Sequence, residues 1–170
     1  ITWEDGRKEP LQFWYMPVSR PYYPNPKEIA EAMAADLAKV GITVQLQTTD
    51  WTVYTDKNRN GQLPLYMLGW TGDNGDPDNF VCYFFCALGA SRMGFYANQQ
   101  LTDVLLEAQK LSDRAKRAVL YRKAEQMIHD DTARLFIAHN QPPLAFVKKV
   151  KGYVANPTGS EYFNTVYFQQ

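Results

Sequence analysis

The stretch Gly69-Trp70-Thr71-Gly72-Asp73-Asn74-Gly75-Asp76-Pro77-Asp78-Asn79-Phe80 constrains the fold more than any other part of the chain. The run before it, Leu63 to Leu68, is apolar and broken only by Pro64, and reads as a mostly buried strand ending near Trp70. Asp76-Pro77 is a helix-start signal, with aspartate as the cap and proline pre-set for the first turn. An acidic, glycine-rich loop therefore leaves a strand and feeds a helix. In open α/β sheets, ligands sit in the crevice beyond the carboxyl ends of the strands. This loop is the first candidate for a ligand site.

The residues upstream set up that geometry. Ile1 to Pro10 is polar and turn-like and is expected to be a linker from a part of the protein further upstream; a first residue that is Ile rather than Met suggests processing or trimming. Leu11 to Met16 is aromatic and strand-like, and Pro17 to Pro26 is a proline-rich loop carrying Arg20, Tyr22 and Tyr23. Asn25-Pro26 then starts a helix with a stripe of Ile29, Met33 and Leu37, and Gly41 stops it. Ile42 to Gln47 alternates as a half-buried strand, and Thr49-Asp50 caps a short helix from Trp51 to about Asn58. The order β-α-β-α-β implies a mostly parallel sheet flanked by helices. After Pro77 the chain is mainly helical, with stripes at Leu101, Val104, Leu105, Ala108 and at Leu120, Ala124, Met127. Leu135 to Ala138 and Leu144 to Val147 read as two further strands. The expected division is a linker over 1–10, an α/β ligand-binding lobe over 11–150, and a C-terminal segment over 151–170 that packs on something else.

Composition removes several function classes. Lys+Arg and Asp+Glu both number 18, so no net field draws in nucleic acid or an anionic membrane. Aromatic residues reach 14%, which suits a surface that stacks on or encloses a ligand. Cys82 and Cys86 lie four apart on the expected helix, a spacing that does not easily reach disulfide geometry without distortion; two buried thiols and a strained disulfide both stay open. With only His129 and His139 available to complete a ligand set, neither a metal site nor a cofactor is expected. An EF-hand count from Asp73 fails, since positions 5 and 12 are Pro77 and Phe84. No nucleophile elbow, zinc-protease motif or phosphate-cradling loop occurs, so no catalytic residue is assigned. His129 and His139 read as structural.

Two charges remain to be explained. Topology places Arg20 just past the end of the first strand and Asp73 just past the end of the third, on one edge of a parallel sheet. Neighbouring strands are roughly 5 Å apart, and the termini of a dipeptide are separated by up to about 7 Å. A fixed guanidinium and carboxylate at that separation suit a zwitterion. The plainer reading is an ordinary Arg–Asp pair or two solvated charges. Trp51 and Trp70 are either core rings or walls of a pocket.

The segment Gly69 to Phe80 closely resembles the bacterial dipeptide-binding proteins, solute receptors of peptide ABC importers within the peptide- and nickel-binding cluster of periplasmic binding proteins. Trp14 to Tyr22, Lys39-Val40-Gly41, Met127 to Asp130 and Lys151 to Val154 match in the same order. The resemblance implies the C-terminal lobe of a two-lobed receptor that closes on a short peptide in the periplasm and delivers it to an ABC-transporter permease. It implies that Asp73 binds the peptide's amino group and Arg20 its carboxylate, with Trp70, Gly69, Thr71 and, less directly, Trp51 lining the path. It also implies that the N-terminal lobe of the same receptor is missing, so the segment 151–170 would pack back on that lobe. An orphan lobe would be prone to dimerise through the exposed face. Relatives in the cluster take oligopeptides, haem, glutathione or nickel chelates, and those ligands are the main alternative. A small α/β peptidase or hydrolase is a distant one. The family's position matching Cys82 is not a cysteine and its later cysteine is absent here, so no disulfide carries over.

Overall fold

The computed structural model describes residues 9–86, 97–139, 141, 143–158 and 160–170. Its elements run β1 (Leu11–Trp14), α1 (Pro26–Lys39), β2 (Val44–Gln47), α2 (Trp51–Arg59), β3 (Leu65–Tyr66), α3 (Asp78–Phe85), α4 (Gln99–Gln109), α5 (Arg114–Asp130), β4 (Val150–Lys151) and β5 (Tyr167–Phe168). The first three strands form a parallel sheet in the order β2-β1-β3. Leu11 to Trp14 pair with Val44 to Gln47, and Phe13 and Trp14 pair with Leu65 and Tyr66. The strand expected over 63–68 is thus two residues long by ladder pairing. Pro64 has no N–H to donate, although Met67 extends the contact by donating its N–H to the Trp14 carbonyl at 3.0 Å.

Alternation along β1 sends successive side chains to opposite faces. Phe13 joins Ala30, Ile29 and Met33 of α1 and Leu46 of β2 on one face. Trp14 and Met16 join Tyr54 and Trp51 of α2 on the other. The sheet is therefore covered on both sides, as parallel sheets require. Local signals agree with this placement. Pro26 opens α1, Gly41 stops it at φ 83°, and the Asp50 carboxylate accepts from the Val53 N–H at 3.1 Å to cap α2. Helices α3, α4 and α5 bury a second cluster built on Phe84, Phe85, Leu101, Leu105, Ala124 and Ile128, which reaches the sheet edge through Leu68 and Trp70.

One expectation needs correction, and one open alternative is decided. The runs 135–138 and 144–147 form no strand, and Leu135, Phe136, Ile137, Leu144, Phe146 and Val147 are all exposed. A strand needs a partner for its backbone groups, and none of the described residues supplies one. The tail instead pairs with itself as the antiparallel hairpin β4-β5. Cys82 and Cys86 are joined by a disulfide, with their Cα atoms 4.7 Å apart. The Cys86 N–H still donates to the Cys82 carbonyl at 2.9 Å, so the bond spans the last turn of α3. No helix among the described residues is long and apolar enough to cross a membrane.

Tyr54 ties the layers together. Its buried hydroxyl donates to the Met67 carbonyl at 2.7 Å and lies 3.3 Å from the Trp14 carbonyl, and burial pushes its pKa well above the usual tyrosine value. Tyr54→Phe is expected to cost about 1 kcal/mol, the net worth of one buried hydrogen bond, measured as a lower urea midpoint at unchanged slope. An unchanged midpoint would mean that the hydroxyl does not clamp β1 to β3.

Candidate functional site

The acidic loop carries Asp73, Asp76 and Asp78, and tertiary contacts give each a different task. Asp76 accepts two hydrogen bonds from the Arg117 guanidinium of α5, at 2.8 and 2.6 Å, and one from the Asp78 N–H at 3.0 Å. The last contact caps α3, so the helix begins where Asp76-Pro77 predicts, give or take a residue. Arg117 also donates to the Tyr121 hydroxyl at 3.0 Å and to the Ala108 carbonyl at 3.2 Å. Asp78 accepts from the Gln109 side chain of α4 at 2.7 Å. Both carboxylates are thus committed to holding the loop on the helical cluster. Asp73 is not: it is exposed, and its only side-chain partner among the described residues is Asn79, whose amide donates to Oδ2 at 3.3 Å.

Arg20 approaches from the other loop. A tight turn fixes it, with the Arg20 N–H donating to the Tyr23 carbonyl at 3.1 Å and the Tyr23 N–H returning to the Arg20 carbonyl at 2.8 Å. Its guanidinium lies 5.1 Å from the centroid of the Trp51 ring, a cation–π contact. Between the loops, Tyr22 packs against Gly69 so closely that a Cβ at residue 69 would enter its ring. That close approach is why glycine is needed there. Burial raises the Tyr22 hydroxyl pKa, partly opposed by the Arg20 charge.

Arg20, Trp51, Gly69, Trp70, Thr71 and Asp73 all line a single cleft of about 270 Å³. Since β1 and β3 are adjacent, the cleft opens at the carboxyl edge of the sheet, between the loops that leave them. Among the described residues no ion pair joins Arg20 to Asp73, which leaves two separate charges on the cleft. One wall is aromatic: Trp70 stacks on Tyr83 at 3.9 Å between centroids and meets Phe84 edge-on at 6.0 Å. Neither His129 nor His139 lines the cleft; both are exposed. No cluster of His, Cys, Asp and Glu among the described residues has the geometry to hold a metal.

Sequence reasoning missed several contributors. Tyr22, Asn58, Arg59 and Tyr83 also line the cleft. Arg134 donates to the Leu68 carbonyl and sits 4.4 Å over the Phe84 ring, bracing the strand end just before Gly69. Burial pushes its pKa below the usual arginine value. Arg134 sits 66 residues from its partner, and nothing local in the sequence marks it.

The family "Bacterial extracellular solute-binding proteins, family 5 Middle" matches residues 1–91. A dipeptide-binding protein of Escherichia coli (strain K12) is 38% identical over 159 residues, covering 92% of this chain and 30% of that protein. Heme-binding protein A of Haemophilus influenzae is 37% identical over 153 residues, covering 89% of this chain and 28% of that protein. Among solved structures, a dipeptide-binding protein from Pseudoalteromonas sp. SM9913 in complex with Met-Leu superposes with a TM-score of 0.80 at 27% identity, over 98% of this chain and 34% of that one. The chain belongs to the family 5 bacterial extracellular solute-binding proteins, and it spans about a third or less of the length of these relatives. The relatives are solute-binding proteins, not enzymes. Near-equal identity to a dipeptide binder and a haem binder means that likeness alone does not choose the ligand.

The Asp76–Arg117 pair carries a pH signature. Hydrogen bonds from Arg117, and then from the Asp78 N–H, hold the Asp76 carboxyl below its ordinary value. A carboxylate with a lowered folded-state pKa adds stability above its unfolded value, about 3.9, and loses it as pH falls through the folded value. Arg117→Ala is therefore expected to lower the denaturation midpoint at pH 7, with the gap from wild type closing below about pH 4. A gap that persists unchanged at pH 2 would contradict the assignment.

Proposed function

We propose that this chain is the C-terminal lobe of a two-lobed receptor that captures dipeptides and other short peptides outside the cytoplasm for an ABC-transporter permease. In this reading Asp73 takes the peptide's α-amino group and Arg20 takes its carboxylate, with Trp70, Gly69, Thr71 and Trp51 along the peptide path. The observation that carries it is a carboxylate and a guanidinium on one cleft, unpaired with each other. A free peptide offers the complementary charges at both ends. The main-chain charges are read, and the aromatic wall tolerates varied side chains by stacking. No catalysis is assigned, because neither histidine lines the cleft and the relatives are solute-binding proteins.

The lobe supplies half of a site. Its cleft, about 270 Å³, falls just below the roughly 300–1,000 Å³ that enclose small ligands. The second lobe would complete the enclosure and cover the exposed apolar side chains of Leu135, Phe136, Ile137, Leu144, Phe146 and Val147. The isolated lobe is then expected to bind peptide weakly and to self-associate through that face.

One observation favours a different ligand, the 37% identity to a haem-binding relative. A ligand without an amino group would leave Asp73 unpaired, so capped peptides separate the readings. In the full-length receptor, a free dipeptide is expected to bind at least tenfold more tightly than its N-acetyl or C-amide derivative. Asp73→Ala and Arg20→Ala should each lose a charge-assisted bond of about 1.5–3 kcal/mol, roughly tenfold to a hundredfold in Kd. Calorimetric titration that finds wild-type affinity in both variants would overturn the assignment.

A further inference from the structure

Asn79 stands in the first turn of α3, does not line the cleft, and touches two residues that do. Its Oδ1 accepts from the Trp70 indole N–H at 3.0 Å and from the Asp73 backbone N–H at 2.8 Å. Its Nδ2 donates to Asp73 Oδ2 at 3.3 Å. The first two partners can only donate, so they fix which way the amide points. Both lone pairs of the oxygen are then used, and the amino group can face only an acceptor. We infer that Asn79 is a positioning residue that aims Asp73 at the ligand, holding its backbone and one carboxylate oxygen while leaving Oδ1 for an ammonium group.

The residue type matters at each contact. An aspartate at position 79 would accept the same two bonds but set carboxylate against carboxylate. Leucine or alanine would make none of the three. The same amide also accepts from the Trp70 indole N–H, which gives its orientation a spectroscopic readout separate from the ligand. Gly72 lets the loop fold this tightly: a Cβ there would strike the Phe80 ring and approach the Asn74 carbonyl to 2.9 Å.

This inference rests on the reading of Asp73 as the ammonium acceptor, and the test separates the two. In the full-length receptor, Asn79→Leu, Asn79→Ala, Asp73→Asn and the Asp73→Asn/Asn79→Ala double variant are titrated with Ala-Phe and with N-acetyl-Ala-Phe. Thermal melts report folding, and the indole N–H resonance of Trp70 reports its hydrogen bond. The expected result is a tenfold or greater loss for Ala-Phe in Asn79→Ala, with the acetylated peptide within twofold of wild type and the Trp70 resonance moved. In the Asp73→Asn background, Asn79→Ala should cost Ala-Phe nothing further. Asn79→Leu should behave as Asn79→Ala does; if one of them fails to fold, the other decides. Equal losses for both peptides, or no loss for either, would overturn the positioning role even where Asp73→Asn still weakens Ala-Phe. If Asp73→Asn changes neither peptide, the reading of Asp73 itself fails, and the role of Asn79 with it.

Discussion

The bidentate contact between Arg117 and Asp76 decides how the acidic loop is used. A loop with aspartates at 73, 76 and 78 would otherwise carry three mutually repelling charges into one crevice. Arg117 neutralises one, Gln109 satisfies another, and the two contacts anchor the loop on α4 and α5. Only the remaining carboxylate faces the cleft. The helical cluster therefore does more than fill space: it fixes which charge the site presents.

The second constraint is the sheet order. With β1 between β2 and β3, the loops that carry Arg20 and Asp73 leave adjacent strands at the same edge. Tyr22 against Gly69 sets how closely the loops approach, and Trp51 under Arg20 sets where the cation rests. Arg134 braces the strand end from behind by holding the Leu68 carbonyl. Each charge is thus held by contacts of its own, which is why they share a cleft without collapsing into an ion pair.

Much of this was legible in the chain because the signals are local. Asn25-Pro26 and Gly41 mark helix ends through their backbone preferences and Asp50 through its side chain, and alternation at Phe13 and Trp14 fixes the two faces of β1. The cleft residues follow from strand order, which short crossovers dictate. What escaped were contacts between distant parts of the chain. Asp76 and Arg117 are 41 residues apart, and no periodicity links them. Asn79 lies inside the segment Gly69 to Phe80, yet the turn of its amide toward Trp70 and Asp73 depends on how the loop folds back on α3. The misread strands at 135–138 and 144–147 have the composition of strands, but pairing is a property of two segments, and the described residues supply only one. Spacing alone also leaves the state of Cys82 and Cys86 open, because residues four apart on a helix fit both two thiols and a disulfide.

The most direct measurement is a crystal structure of the full-length receptor with a free dipeptide bound. The account predicts the α-amino nitrogen within about 2.7–3.1 Å of Asp73 and the terminal carboxylate paired with the Arg20 guanidinium. A peptide bound with the opposite polarity, or seated away from this cleft with Asp73 and Arg20 left to solvent, would contradict it.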